Sequence, residues 1–488
     1  MVFVFLAGIA LRFYGLGAKP FYEDEGYTLD RVLHFTFHQL AFNIFDISNM
    51  PFYFILVKGI GHCLGVQEFS IRLLSAVAGS LSVGLMYPIG KICKSAQIGL
   101  LAAALLAVSP LSILWAQTAR PYGLLSFFTV LSFFCFLRYL REKKILYFCL
   151  FSLTSLLGLA THVLFAIPLF GNFLFLLLFM KKMERREIWK WLAGMGILLA
   201  AFWIVLGHHY WAAHRLVHLP PQGIGSISFR IFIALFSLAV GETIYPLNWG
   251  VVIPAALLFG TASVAALYHC WLRREKWDIF ILLHLFLVFA AWTYLDTNGL
   301  RYLAFAAPIF CLLIALGLDS LPSLWRIAGI VGICCVSFVS ACFWFSGNPY
   351  QVMEANFLIP WNQIVQDIQH QWKPGEIILV HQNFPSSILD YYSPPEIRSR
   401  LIFLPEKDYK EKLNEILDGR PQTLWLLRGP LASRENKIPR EAFYCYQERD
   451  YRKYVDSPIL SEQLATGKMR MAPTVEWSYF QRGNSCPQ

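Results

Sequence analysis

Long apolar runs separated by short polar loops occupy the first 346 residues of this 488-residue chain. A helix needs about 20 apolar residues to cross about 30 Å of hydrocarbon, and most of the runs approach that length. A shorter run at 229–242 is expected to lie on or dip into the outer face, because counting it as a crossing would misplace the later loops. The pattern predicts about 11 transmembrane helices, at 1–16, 70–90, 97–115, 120–140, 145–161, 163–180, 188–207, 250–271, 278–296, 301–319 and 324–345.

The composition changes to that of a soluble domain after residue 346. An amphipathic pattern predicts a helix at 361–372, and a second helix is expected at 408–417. Short apolar runs predict strands at 376–381 and 423–427. We therefore expect an all-α polytopic membrane domain over 1–346 and a small α/β domain over 347–488.

The formal charge of +10 lies entirely in the apolar part of the chain. Residues 347–488 hold 17 basic and 17 acidic residues, whereas the remainder holds 24 and 14. Basic clusters on the cytoplasmic side of a membrane account for this charge, and no nucleic acid partner is implied. All of the clusters fall on the same predicted side: Lys91 and Lys94; Arg138, Arg141, Lys143 and Lys144; Lys181, Lys182, Arg185, Arg186 and Lys190; Arg273, Arg274 and Lys276.

The opposite, extracytoplasmic side then holds the loop 17–69, the loop 208–228 and the soluble domain. Three consecutive acids, Glu23, Asp24 and Glu25, follow the first apolar run in loop 17–69. Ionised groups beside hydrocarbon are costly and commonly mark a site, so these acids are candidates for a general base. Two alternatives stay open, since acids here also serve as topological flanks and Glu25 suits a charge at a helix N-terminus.

Metal and disulfide patterns in the chain are weak. None of the 11 cysteines forms a pair at metal-ligand spacing, although Cys445 and Cys486 would be able to pair in an exported domain. Four histidines between 208 and 218 have no acid close enough to complete a metal site. We predict no metal and no cofactor.

Five short elements, in order, resemble the GT-C glycosyltransferases of the glycosyltransferase 39 type, which include protein O-mannosyltransferases and aminoarabinose transferases. The first element resembles the "DE" motif of the first external loop in that family. Together the elements cover residues 10–140 well and 295–320 moderately. They are Phe21-Tyr22-Glu23-Asp24-Glu25-Gly26-Tyr27-Thr28, Met50-Pro51-Phe52-Tyr53, Glu68 to Gly79, Ser109-Pro110 with Gln117-Thr118-Ala119-Arg120-Pro121-Tyr122, and Arg301-Tyr302-Leu303 before Pro308.

The resemblance implies a catalytic carboxylate at Asp24, with Glu25 beside it. It also places Arg120 and Arg301 at external helix ends, where either would bind a donor phosphate or simply anchor a helix at the interface. Three further residues are expected to line the substrate: Tyr122, His162 and Tyr302. Two departures concern mechanism, because Thr118 stands where the family often has an acid that assists acceptor or metal binding, and Asn49 where it often has His.

The resemblance implies an enzyme that transfers a hexose or pentose from a polyprenyl-phosphate sugar to an extracytoplasmic acceptor, with inversion. It suggests a multi-pass protein of the bacterial inner membrane acting on a glycan, a lipid such as lipopolysaccharide, or a protein. Two alternatives remain. The chain would otherwise be a lipid or solute transporter or flippase, or a non-catalytic protein that binds lipid-linked sugars.

Overall fold

The computed structural model divides by its contacts into two compact units, each described here by itself. Unit 1 comprises residues 1–17 and 35–346, and unit 2 comprises residues 18–34 and 347–488. The structure describes residues 1–42, 50–179, 224–244, 246, 248–294, 300–346, 359–381, 387–404, 409–419, 421–428, 446–458 and 471–482, with scattered positions between 189 and 207.

Unit 1 is built of apolar helices. In the part of the chain that the structure describes, two short 3-10 segments, Val163–Phe165 and Leu300–Ala306, precede the helices that begin at Ala166 and Ala307. The helices are α1 (Val2–Phe13), α3 (Phe37–Phe42), α4 (Pro51–Leu64), α5 (Glu68–Cys93), α6 (Ala96–Val108), α7 (Pro110–Ala116), α8 (Tyr122–Glu142), α9 (Ile145–Thr161), α10 (Ala166–Phe179), α11 (Ile224–Val240), α12 (Trp249–Arg273), α13 (Lys276–Tyr294), α14 (Ala307–Ser320) and α15 (Ser323–Ser346).

Six helices among the described residues are long and apolar enough to cross a membrane, and a bent pair makes a seventh. Shorter apolar helices, including α1, α4, α9 and α11, lie beside them. The polytopic helical class is therefore confirmed, and the chain is an integral membrane protein. The total of 11 crossings and the side of each loop stay predictions, and the expected helix at 188–207 lies mostly outside the described residues.

The expected single span at 97–115 is instead two helices, α6 and α7, which meet at an angle of 59°. Pro110 causes the break, because it has no N–H to donate and forces the residue before it out of the helical conformation. Ser109 accordingly has an extended backbone (φ −60°, ψ 117°), and its side chain caps the start of α7. The break leaves carbonyls at the end of α6 without helical partners.

Arg12 satisfies those carbonyls from α1. Its guanidinium is fully buried and donates to the Leu106 carbonyl at 3.0 Å and the Ala107 carbonyl at 3.2 Å. It also donates to Ser112 Oγ at 2.8 Å. Non-helical backbone inside a membrane is tolerated only where protein groups take up its hydrogen bonds, and Arg12 has that role here.

Gln117 makes the reverse connection. Its Nε2 donates to the carbonyls of Leu11 at 3.0 Å and Tyr14 at 2.8 Å, at the end of α1. Its Oε1 accepts the indole N–H of Trp344 at 2.6 Å. The end of α6 is thus capped by a side chain of α1, and the end of α1 by the residue that follows α7. Trp344 joins α15 to the same residue.

A second buried charge, that of Lys94, lies at the C-terminal end of α5. Lys94 Nζ lies 2.8 Å from Glu275 Oε2 and 2.8 Å from Asp278 Oδ1, which is 1% exposed. This ion-pair cluster joins the turn after α5 to the turn between α12 and α13. The two predicted basic loops at Lys91 and Arg273 therefore share one end of unit 1, as the sequence predicted.

Unit 2 contains a five-stranded mixed sheet with strand order β2-β1-β3-β5-β4. The strands β1, β2 and β3 are parallel, while β5 is antiparallel to both β3 and β4. The elements predicted at 361–372, 376–381, 408–417 and 423–427 are confirmed. The elements are α2 (Glu23–His34), α16 (Trp361–Gln371), β1 (Ile377–His381), α17 (Ser387–Tyr392), α18 (Pro395–Arg398), β2 (Leu401–Leu404), α19 (Tyr409–Asp418), β3 (Thr423–Arg428), β4 (Tyr446–Pro458) and β5 (Met471–Arg482).

Glu376 organises the aromatic core of this sheet. Its carboxylate accepts the indole N–H of Trp425 at 2.9 Å and the hydroxyl of Tyr479 at 3.0 Å. Burial, together with this hydrogen bond to a carboxylate, raises the pKa of Tyr479 above its ordinary value. A buried carboxylate is stable here because hydrogen-bond donors surround it.

The acid-bearing segment 18–34 groups with the soluble domain rather than with the helices on either side of it in sequence. The run at 229–242 is helical as expected, within α11, and whether it crosses the membrane stays a prediction. The cluster of histidines at 208–218 and the Cys445–Cys486 pair lie outside the described residues.

Replacing Arg12 with Met is expected to lower the free energy of unfolding by about 3 kcal/mol or more, because buried carbonyls lose their donors. Thermal unfolding in detergent measures the loss. Arg326→Met is the control, since Arg326 pairs with Asp319 at 3.0 Å with both side chains partly exposed. Such pairs contribute about 1 kcal/mol or less. Equal losses in both variants would contradict the capping role.

Lys94→Met is expected to destabilise unit 1 by about 3–5 kcal/mol, because it leaves the Asp278 carboxylate buried without a counter-charge. Adding Asp278→Asn to Lys94→Met removes that charge and is expected to recover part of the loss. Chemical denaturation of the three proteins measures this. A double variant less stable than Lys94→Met would contradict the prediction.

The same cluster has a defined pH range. The hydrogen bond from Lys94 lowers the pKa of Glu275, so its contribution is present above its unfolded pKa and is lost as the pH falls through the lowered value. Burial opposes the Lys94 charge, but hydrogen bonds to Asp278 and Glu275 outweigh it and raise the Lys94 pKa. Its contribution is therefore lost only at alkaline pH above that raised value.

Candidate functional site

Three of the expected site residues pack together in unit 1. The ring of Tyr122 lies 5.6 Å from that of His162 and 5.8 Å from that of Tyr302, and His162 lies 5.9 Å from Tyr302, all between centroids. They come from three places in the sequence, namely the start of α8, the end of α9 and the 3-10 segment before α14. We call these three residues the ring cluster.

Both expected phosphate-binding arginines flank the ring cluster. The Arg120 guanidinium carbon lies 5.9 Å from the Tyr122 ring centroid, and that of Arg301 lies 5.8 Å from the Tyr302 centroid. Arg120 is only 5% exposed. An arginine that merely anchors a helix at the interface extends its charge into water, so the burial of Arg120 favours a site role.

His162 has a defined orientation. It is completely buried, and its Nδ1 accepts the backbone N–H of Leu164 at 3.1 Å. A neutral imidazole has one donor and one acceptor nitrogen, so Nε2 carries the proton while Nδ1 accepts. His162 therefore offers an N–H donor through Nε2.

Residues of the family-like sequence elements contact the segment that carries Arg120 and Tyr122. Tyr53 OH lies 3.2 Å from Ser75 Oγ, and Ser75 Oγ donates to the Arg120 carbonyl at 3.1 Å. Gly79, one turn further along α5, lets α7 approach closely, since a Cβ there would lie 2.6 Å from the Cβ of Ala116. Elements far apart in sequence thus hold the short segment that carries Arg120 and Tyr122.

Glu242 is a buried acid that the sequence analysis did not single out. It is 1% exposed, and its Oε1 accepts the indole N–H of Trp115 at 2.9 Å. The Trp115 ring in turn packs edge-on against Tyr122, with centroids 4.9 Å apart. The available sequence signal for Glu242 was a single acid at the end of the apolar run 229–242, whose placement in the membrane the sequence left open. Glu242 therefore reaches the ring cluster through Trp115.

The three acids Glu23, Asp24 and Glu25 form the first turn of α2, in unit 2. Glu25 is completely buried, and its Oε2 accepts the backbone N–H of Tyr22 at 3.1 Å, the residue just before the helix. A glutamate in the third helical position that binds this N–H is a helix cap. Asp24 is only partly buried. The geometry separates a structural Glu25 from a more accessible Asp24.

Thr118, at the position where an acid is common in the resembling family, is buried, and its hydroxyl donates to the Trp115 carbonyl at 3.4 Å. Within the described part of the chain, no three His, Cys, Asp or Glu side chains group in a way that would hold a metal ion. The expectation that the protein needs no metal stays a prediction.

Comparison with known proteins gives one family model and several solved structures. The model described as dolichyl-phosphate-mannose-protein mannosyltransferase matches residues 49–211, about one third of the chain. No curated protein sequence matches the chain.

The solved structures are similar in fold at low identity. ArnT from Cupriavidus metallidurans in the apo state is 12% identical, with a TM-score of 0.59 over 88% of this chain and 93% of that one. The same protein bound to undecaprenyl phosphate is 11% identical, with a TM-score of 0.58 over 100% and 99%. The archaeal oligosaccharyltransferase AglB from Archaeoglobus fulgidus, in complex with an inhibitory peptide and a dolichol-phosphate, is 12% identical, with a TM-score of 0.53 over 97% and 73%.

These similarities extend over both units, from the apolar helices to the sheet domain. They show that the chain shares the fold of these solved glycosyltransferase structures.

Proposed function

We propose that this protein is a membrane glycosyltransferase that takes one sugar from a polyprenyl-phosphate donor and transfers it to an extracytoplasmic hydroxyl. The observation that carries the proposal is the ring cluster with the Arg120 guanidinium near Tyr122 and the Arg301 guanidinium near Tyr302, held by the elements that resemble the family. The structural neighbours add support, because one is bound to undecaprenyl phosphate and another to dolichol-phosphate.

In the proposed reaction, the acceptor oxygen attacks the anomeric carbon as the bond from that carbon to the phosphate oxygen breaks. The electron pair of the broken bond stays on the lipid phosphate, and the acceptor proton goes to Asp24. The phosphate gains negative charge in this step, so Arg120 and Arg301 would stabilise the transition state by charge-assisted hydrogen bonds. Attack opposite to the leaving group inverts the anomeric centre.

The residues beside the ring cluster also suit a lipid-linked donor. A small apolar pocket at Tyr302 is lined by α10, α13 and the 3-10 segments before α10 and α14. Its lining residues are Leu164, Ile167, Val288, Ala291, Trp292, Tyr302, Leu303 and Phe305. A prenyl chain needs an apolar surface that leads to a charged head-group site, and three residues of this lining closely follow Arg301 in the sequence.

The alternative function as a transporter or flippase is less well supported. Transporters place the free backbone groups of broken helices at their ion or substrate sites. At the break before Pro110, the Leu106 and Ala107 carbonyls instead bond to Arg12. The alternative of a non-catalytic binding protein rests on Thr118, which stands where the resembling family often has an acid. Such a protein would bind the donor without releasing polyprenyl phosphate, so a release assay separates it from an enzyme.

Asp24→Asn is expected to lower sugar transfer by about 100-fold or more, because a positioned general base contributes about 10²–10⁴. Glu25→Gln keeps an oxygen that accepts the Tyr22 N–H and is expected to stay within a few-fold of wild type. Release of polyprenyl phosphate from a panel of polyprenyl-phosphate sugars, with membrane extract as the source of acceptor, measures both.

The outcomes are distinct. Wild-type activity in Asp24→Asn would refute this residue as the base, and a matching loss in Glu25→Gln would move the base there. No release by wild-type protein from any donor, in an extract that supports a known transferase, would refute the proposed function.

Arg120→Gln and Arg301→Gln are each expected to weaken binding of undecaprenyl phosphate by about 10–100-fold, since a charged hydrogen bond contributes about 1.5–3 kcal/mol. Binding of the uncharged polyprenol is expected to stay the same. Arg138→Gln is the matched control, because Arg138 lies near the other end of α8 and pairs with Glu142. An equal loss for polyprenol would show damage to the lipid pocket rather than loss of phosphate binding.

A further inference from the structure

The helix that carries Asp24 is held by three contacts from the soluble domain within unit 2. The backbone N–H of Phe21 donates to the Tyr392 hydroxyl at 2.8 Å, and Ser387 Oγ donates to the Gly26 carbonyl at 2.8 Å. The rings of Phe21 and Tyr391 meet edge-on, with centroids 5.4 Å apart. All three partners belong to α17. We call Ser387, Tyr391 and Tyr392 the clamp.

The clamp contacts lie on both sides of Asp24 in the sequence. Phe21 is three residues before it and Gly26 two residues after it, so the first turn of α2 is held at its beginning and its end. Both hydrogen bonds go to backbone groups. Hydrogen bonds to the backbone fix the path of the main chain independently of its side chains. The path of the main chain in turn fixes the Cα position from which the Asp24 side chain extends.

The clamp is itself anchored in a rigid core. Ile388 and Leu389 of α17 are 0% and 1% exposed, in the cluster that also contains Trp361, Trp425 and Trp477. The clamp therefore connects the packed sheet domain directly to the acid-bearing helix. Closely packed interiors deform little, so the core holds the residues attached to it in a fixed position.

The helix α2 needs such support. It has 12 residues, begins with three acids and contains Gly26. Isolated helices of about 12–15 residues are marginal in water, and Gly lowers helix stability further. Residues 18–34 gain their order from tertiary contacts in unit 2, and the clamp supplies three of these.

We propose that the soluble α/β domain positions the base of the reaction, with Tyr392 and Ser387 as positioning residues that hold the first turn of α2. This rests on the proposed function for Asp24. The domain thereby has a role in the chemical step itself, in addition to any contact with the acceptor. Misplacement of a catalytic group by about 1 Å can cost about 100-fold in rate, so a loosened clamp lowers kcat.

The test compares Tyr392→Phe, Ser387→Ala and the double variant with wild type in the full-length protein. Each single variant removes one hydrogen bond to the backbone of residues 21–26 and is expected to lower kcat about 10-fold, and the double variant about 100-fold. The affinity for undecaprenyl phosphate is expected to stay unchanged. Amide hydrogen exchange over residues 18–34 is expected to accelerate in the same order.

Tyr479→Phe is the matched control. It also removes one tyrosine hydroxyl from the same domain, but that hydroxyl bonds to Glu376 rather than to α2. It is expected to leave exchange over 18–34 and kcat close to wild type. Protected amides in β1 and β3 of every variant establish that the sheet remains folded.

Unchanged exchange over 18–34 in the double variant, with the sheet folded, would overturn the proposal. So would a fall in donor affinity equal to the fall in kcat, because it would point to a general loss of structure. If the wild-type protein transfers no sugar, the proposed function fails, while the exchange measurement still decides whether the clamp holds α2.

Discussion

The hydrogen bonds of the buried Arg12 guanidinium are the contacts on which the arrangement of unit 1 depends. Pro110 divides one apolar run into two helices, and the freed carbonyls lie where water is excluded. Arg12 binds them from α1, while Gln117 binds the end of α1 in return. The short helix α7 ends just before Arg120 and Tyr122. The side chains that cap the break therefore also fix the position of the segment that carries these two residues.

Three buried charged side chains of unit 1 share one feature: each has polar partners. Arg12 is surrounded by carbonyls, Lys94 by two carboxylates, and Glu242 accepts the indole N–H of Trp115. Each arrangement joins segments distant in sequence, which is where an ion with defined partners adds specificity that apolar packing alone lacks. Arg120 and Arg301, beside the ring cluster, differ from these buried charges. Each lies next to a tyrosine ring and next to a polar segment of the sequence.

The acid-bearing helix shows how the fold uses sequence separation. Phe21 and Tyr392 are 371 residues apart and share a hydrogen bond of 2.8 Å. Because residues 18–34 pack with the soluble domain, the candidate base and the candidate phosphate ligands belong to different compact units. The position of the candidate base thus depends on the core of unit 2, and the positions of the candidate phosphate ligands depend on the core of unit 1.

The sequence alone determined the helical membrane class, the α/β domain and the identity of most candidate residues. Hydrophobic length and alternation report burial directly, and the order of the motifs carries the resemblance to a family. Only the tertiary structure decided that Tyr122, His162 and Tyr302 touch, that Glu25 caps a helix, and that Glu242 belongs near them. Glu25 and Tyr22 are only three positions apart, but the sequence allows both a cap and a catalytic acid at Glu25. The other contacts join residues tens to hundreds of positions apart, and local patterns carry no information about which distant ring a side chain will meet.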